Sequence, residues 1–112
     1  ATPEALYYWV FPNLMLNCYP DNLQINVILP DGPDHCITRF VWLQLDPGRP
    51  EAARELAENF AFSDEVQKED ILLCETVQKG LRSDHYHQGR YSVARENGVH
   101  HFHGLMAEYL NK

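Results

Sequence analysis

The chain reads as an α+β domain in which an antiparallel sheet comes first and helices follow. Alternating apolar runs fill residues 6–45, punctuated by turn clusters at Pro20-Asp21-Asn22 and Pro30-Asp31-Gly32-Pro33-Asp34. Residues 51–81 change to helical spacing, and Gly98 to Leu110 forms a second helical stretch. Strands segregated from helices imply α+β rather than alternating α/β.

Leu6 to Tyr19 is rich in aromatic and β-branched residues and predicts one strand, bulged near Pro12, because proline cannot donate to a ladder. Leu14 and Leu16 give that strand an aliphatic face, while Asn13, Met15 and Asn17 share the other. Leu23 to Leu29 predicts the second strand. His35 to Leu45 predicts the third, with Ile37, Arg39, Val41 and Leu43 opposite Thr38, Phe40, Trp42 and Gln44. Together the runs predict an antiparallel meander. Asp46-Pro47-Gly48-Arg49-Pro50 ends the sheet, and Pro50 suits the first turn of a helix through Phe60. Ser63-Asp64-Glu65 has the chemistry of an N-terminal cap and predicts a fresh helix ending near Gly80. Ser83 to Arg95 is polar and reads as a loop.

Composition narrows the function classes. A net charge of −7 argues against a nucleic-acid or anionic-membrane surface. No apolar run approaches the roughly 18 residues of a membrane span. Three widely spaced cysteines, Cys18, Cys36 and Cys74, fit reduced cytoplasmic thiols better than a disulfide framework or a zinc site. Residues 1–112 are expected to form a single domain. The chain opens without a methionine on an already dense apolar run, which reads as a cut inside a larger protein.

Asp70 is the anomaly. Val66, Leu73, Cys74, Val77 and Leu81 form an apolar helical stripe, and Asp70 falls within it. A buried carboxylate needs a partner. A basic side chain such as Arg39 or Arg82, a small rotation toward solvent, or a metal ion would each meet that need. His100 and His103, three residues apart, share a helical face that can chelate, but with no HExxH and no cysteine pair beside them ordinary polar packing is the expected reading. His85 and His87 lie in the preceding loop. Cys74, on the apolar face, reads as a buried structural thiol, and Trp9, Phe11, Phe40 and Trp42 as core.

Three segments carry a family likeness: Phe11-Pro12-Asn13-Leu14-Met15-Leu16-Asn17, Glu69-Asp70-Ile71-Leu72-Leu73-Cys74-Glu75-Thr76-Val77-Gln78-Lys79-Gly80-Leu81, and Gly98-Val99-His100-His101-Phe102-His103. In this order they resemble the C-terminal part of Rieske-type non-haem iron oxygenase α subunits, which hydroxylate aromatic rings or quaternary amines. The resemblance implies a helix-grip fold, a curved antiparallel sheet around a long helix. It implies a mononuclear Fe(II) held by two histidines and one carboxylate, the carboxylate falling on Asp70. It also implies a Rieske [2Fe–2S] cluster in another domain, electrons from NAD(P)H through a reductase or ferredoxin, O2 as co-substrate and a homotrimer. Phe11, Asn13, Met15 and Asn17 are the expected substrate-pocket residues. Trp9, Phe11, Trp42 and Tyr19 are candidates for an aromatic cage around a quaternary ammonium.

The family's iron-binding histidines precede the strands, and no matching stretch stands here. The chain is therefore expected to be a C-terminal fragment, inactive alone and marginally stable or oligomeric. The competing class is a metal-free helix-grip module for a small hydrophobic ligand, and a third is a histidine-rich metal binder.

Overall fold

A computed structural model describes residues 4–112. The elements run β1 (Leu6–Val10), β2 (Leu14–Cys18), β3 (Asn22–Pro30), β4 (Cys36–Gln44), α1 (Ala52–Leu81) and α2 (Asn97–Leu110). The antiparallel sheet followed by helices confirms the α+β class. Two compact units are defined, Ala1–Val66 and Gln67–Lys112, and α1 runs from the first into the second.

The first unit holds a four-stranded meander in the order β1-β2-β3-β4, antiparallel throughout. The single strand expected over Leu6 to Tyr19 is two strands. A tight turn at Phe11-Pro12-Asn13, with a cis Phe11–Pro12 peptide, folds β2 back along β1. Proline lacks an N–H, so it suits this turn as well as the expected bulge. The next two turns lie where the sequence places them. Tyr19 N–H donates to the Asn22 carbonyl at 2.9 Å, and Asp31 N–H donates to the His35 carbonyl at 3.0 Å. Gly32 sits at φ 85° in the second of these turns, a conformation that a side chain would strain.

Register fixes which side chains share a face, because directly opposed residues project to the same side. One face carries Leu6, Tyr8 and Val10, then Leu14 and Leu16, then Leu23, Ile25 and Val27, then Val41 and Leu43. The other carries Tyr7 and Trp9, then Met15 and Asn17, then Asn22, Gln24 and Asn26, then Phe40 and Trp42. The first turns of α1 pack on the Trp42 end of this second face. Phe60 packs on Trp42 with ring centroids 5.0 Å apart, and Ala52 is buried.

The helix start follows expectation: Ala52 N–H donates to the Arg49 carbonyl at 3.1 Å, and Arg49 pairs with Glu55 at 2.7 Å. The break expected before Ser63 is absent, and α1 is continuous through Leu81. A Ser-Asp-Glu cap needs a chain break ahead of it, and Phe60-Ala61-Phe62 contains neither Gly nor Pro to make one.

In the second unit, Ser83 N–H donates to the Gly80 carbonyl at 3.0 Å and ends α1 near the predicted residue. After the loop, the Ser92 N–H donates to the Glu96 carboxylate at 2.6 Å. Glu96 then starts α2 by accepting the His100 N–H at 2.9 Å.

Candidate functional site

The sheet face on which α1 packs is polar and aromatic, enclosed around Asn26, Phe40 and Trp42 but open at Tyr7; the other face is aliphatic, with Leu14, Leu16, Leu23, Ile25 and Val27 half-buried and Leu6, Val10, Ile37 and Leu43 exposed. A face of amides and aromatic rings has the chemistry of a ligand-binding wall, apolar bodies with a few polar groups set among them.

Four residues of this region were expected to line a pocket. Met15 and Asn17 lie on the polar and aromatic face, Met15 opposite Trp9 and Asn26, Asn17 opposite Tyr7 and Gln24. Phe11 stands in the β1–β2 turn, half-buried, its ring edge-on to Trp9 at 6.0 Å. Asn13 has a structural task, since its side-chain amide donates to the Ile28 carbonyl at 2.7 Å. Trp9, Phe11, Phe40 and Trp42, read as core, are half-buried.

Reading the sequence missed the amide row of β3. Asn22, Gln24 and Asn26 alternate along one face, a pattern visible in Asn22-Leu23-Gln24-Ile25-Asn26. Asn26 is buried, and its Oδ1 accepts no hydrogen bond. Asn22 Oδ1 and Trp42 Nε1 are likewise buried without a partner. Phe40 and Phe60 both pack on the Trp42 ring, at 5.7 and 5.0 Å. At the β1–β2 edge, Tyr7 and Tyr19 meet edge-to-face at 6.1 Å, with their hydroxyls 3.5 Å apart. That hydrogen bond, helped by partial burial and by the Tyr7 charge, pushes the Tyr19 phenol up to about 12.

Asp70 was expected on a buried stripe, and here the structure differs. Asp70 is exposed, as are Val66, Leu73, Cys74, Val77 and Leu81. Periodicity groups these residues on one face, but burial requires a surface to cover them, and none of the described residues provides one. Cys74 is thus an exposed free thiol, not a buried one. The Asp70 carboxylate makes no hydrogen bond or ion pair among the described residues. It fits the part of one metal ligand, being uncommitted and anionic. It does not complete a site, since the described residues contain no group of three or more His, Cys, Asp or Glu placed to hold a metal ion.

The histidines of α2 are engaged elsewhere. Tyr91 packs edge-on against His100 at 5.1 Å and its hydroxyl meets His103 Nδ1 at 2.5 Å. Packing, the plainer of the two readings, describes this pair.

The chain belongs to the family described as the ring-hydroxylating α subunit (catalytic domain), whose model matches residues 2–112. Among its relatives, choline monooxygenase of Arabidopsis thaliana, named chloroplastic, is 43% identical over 107 residues, covering 96% of this chain and 25% of that protein. The chloroplastic choline monooxygenase of Beta vulgaris is 35% identical, covering 96% and 24%. The carnitine monooxygenase oxygenase subunit of Escherichia coli K12 is 31% identical, covering 90% and 29%. The chain thus spans about a quarter of the length of the curated relatives it matches. No solved structure gives a match. No helix among the described residues is long and apolar enough to cross a membrane.

Proposed function

We propose that this chain is part of the catalytic domain of a Rieske-type oxygenase that uses O2 and NAD(P)H-derived electrons to hydroxylate a quaternary-ammonium substrate. One observation carries the reading: the sheet face on which Phe60 of α1 packs bears aromatic rings and amides rather than aliphatic side chains. A quaternary ammonium has no N–H to donate. Aromatic faces and amide carbonyl dipoles are what hold it. Trp42 with Phe40 and Phe60, Trp9 with Phe11, and Tyr7 with Tyr19 supply the rings. The names of the relatives favour choline- or carnitine-like cations over aromatic hydrocarbons.

In this reading Asp70 holds a mononuclear Fe(II) together with two histidines from another part of the protein. When bound, the iron activates dioxygen. The charge on Asp70 would offset part of the metal's positive charge. Met15, Asn17 and the rings beside them would orient the cation, with Phe11 at the rim. A Rieske [2Fe–2S] cluster, a reductase or ferredoxin donor and a homotrimeric assembly complete the proposal. The three free thiols fit a reducing compartment, the cytoplasm or the chloroplast that the plant relatives' names give for those proteins.

The test is oxygen uptake by the iron-loaded, full-length protein with its reductase, using choline, carnitine and benzoate as probes. Uptake driven by a quaternary ammonium with stoichiometric product is expected. Uptake driven only by benzoate would move the substrate class to aromatic rings. A protein that never takes up iron but binds apolar ligands would be the metal-free module instead.

A further inference from the structure

Charge is unevenly spread along the chain. Residues 79–103 hold four Lys and Arg against two Asp and Glu, with five of the six histidines. The remaining residues hold five Lys and Arg against fourteen Asp and Glu. A segment of formal charge +2 therefore stands in a protein of −7. Its cations are Lys79, Arg82, Arg90 and Arg95, and all four are exposed. Lys79, Arg90 and Arg95 form no ion pair among the described residues.

All four belong to the second unit, and local bonds hold the backbone that carries them. At one end, the Arg82 N–H donates to the Lys79 carbonyl at 3.3 Å and the Tyr86 N–H to the Ser83 carbonyl at 3.0 Å. At the other, Tyr91 packs on His100 and bonds His103, while the Arg95 and Glu96 N–H groups donate to the Ser92 carbonyl at 3.3 and 3.0 Å. Lys79 and Arg82 suit the negative end of the α1 dipole. Arg90 lies outside both helices and serves no such end. Arg95 stands just before Glu96, the N-cap of α2, where the dipole disfavours a cation. Helix stability therefore does not account for either arginine.

A partner that brings the acid does account for them. A membrane surface or a nucleic acid extends past residues 79–103 and meets the net −9 of the remaining residues, which repels it. A compact acidic protein is small enough to avoid that repulsion. Electron-transfer encounters have this character: they bury less than about 1,200 Å², are transient, and are steered by charge. We infer that Arg90, Arg95 and the end of α1 form a docking surface for the acidic electron-carrier protein that supplies the oxygenase. The inference rests on the oxygenase reading above and adds where its donor lands.

The test is oxygen uptake by the full-length protein with choline, at varied concentrations of its ferredoxin or reductase and at low and high salt. Donor binding is measured beside it by surface plasmon resonance. The KM for the donor should rise with salt. Arg90→Glu with Arg95→Glu should raise that KM about tenfold and leave the choline KM and the limiting turnover within about twofold. Arg90→Lys with Arg95→Lys keeps the charge and should restore the donor KM. Arg54→Glu, a reversal on exposed α1 in the first unit, should leave the donor KM within about twofold. A wild-type donor KM that ignores salt would overturn the proposal even if the variants fail to fold. So would a donor KM that the double reversal leaves unchanged, or one that Arg54→Glu raises as much. Binding to phosphatidylserine vesicles that the double reversal abolishes, with donor binding intact, would overturn it and assign the surface to a membrane. Donor binding that the reversal abolishes, in a protein that oxidises no quaternary ammonium, would retire the substrate reading and keep the docking surface.

Discussion

Asn13 and Ile28 are joined twice across the sheet. The Ile28 N–H donates to the Asn13 carbonyl at 3.0 Å, and the Asn13 side-chain amide donates to the Ile28 carbonyl at 2.7 Å. This clamp extends the β2–β3 ladder beyond Leu14 and anchors the turn that carries Phe11 and Pro12. Asn13→Ala removes the side-chain bond and leaves a part-buried carbonyl unpaired. The expected loss is about 1–3 kcal/mol of stability, read from the denaturant midpoint at unchanged slope. Asn13→Asp should lose a similar amount, since a carboxylate has no hydrogen to donate. An unchanged midpoint in both variants would show that the clamp contributes nothing.

The same segment shows what the sequence could and could not reveal. Alternation assigned Asn13, Met15 and Asn17 to one face, and the register agrees, because a period of two survives whether or not the chain turns at Pro12. The turn itself was hidden: Phe11-Pro12-Asn13 lacks the glycine that marks most hairpins. Ser63 misled in the opposite direction, since a good capping residue is also tolerated inside a helix whose neighbours are helix formers. For Asp70 the stripe was legible and its burial was not. Periodicity says which residues stand together and is silent on what covers them. The amide row of β3 was present as plain alternation, but its meaning depended on which face the helix packs on.

Asp70→Asn separates ligation from folding. The amide preserves shape and removes the charge that a ferrous ion needs from this position. Iron per protein, measured by mass spectrometry on the full-length protein, should fall by about tenfold or more, and substrate-dependent oxygen uptake should vanish. The Rieske spectrum should persist. Because Asp70 is exposed and makes no ion pair among the described residues, the unfolding free energy of the iron-free proteins should differ by no more than about 0.5 kcal/mol. Full iron occupancy in this variant would remove Asp70 from the ligand set.

The α2 histidines give the opposite expectation. Tyr91 holds His103 through its hydroxyl and His100 through its ring. The pair should therefore act on stability rather than on metal content. Replacing His100 and His103 together by Ala should cost about 1–2 kcal/mol and leave iron stoichiometry unchanged. Tyr91→Phe should reproduce the part due to the hydroxyl. Loss of iron in the double variant, with Asp70→Asn retaining it, would restore the reading of these histidines as a metal site.

Tyr7 and Tyr19 make a prediction in pH. The Tyr7 hydrogen bond, with partial burial and Tyr7's own charge behind it, raises the Tyr19 phenol to about 12 from its ordinary 10.0. A folded-state value above the unfolded one means the native state holds its proton more tightly. The stabilising contribution is fully present below pH 10 and is lost as pH rises through about 12. Ultraviolet titration at 295 nm should show one phenol ionising late. Tyr7→Phe removes the hydroxyl, so Tyr19 should titrate closer to the ordinary tyrosine range and the alkaline decline in stability should flatten. If Tyr19 ionises with the other tyrosines in the unmodified protein, the two hydroxyls do not interact in solution.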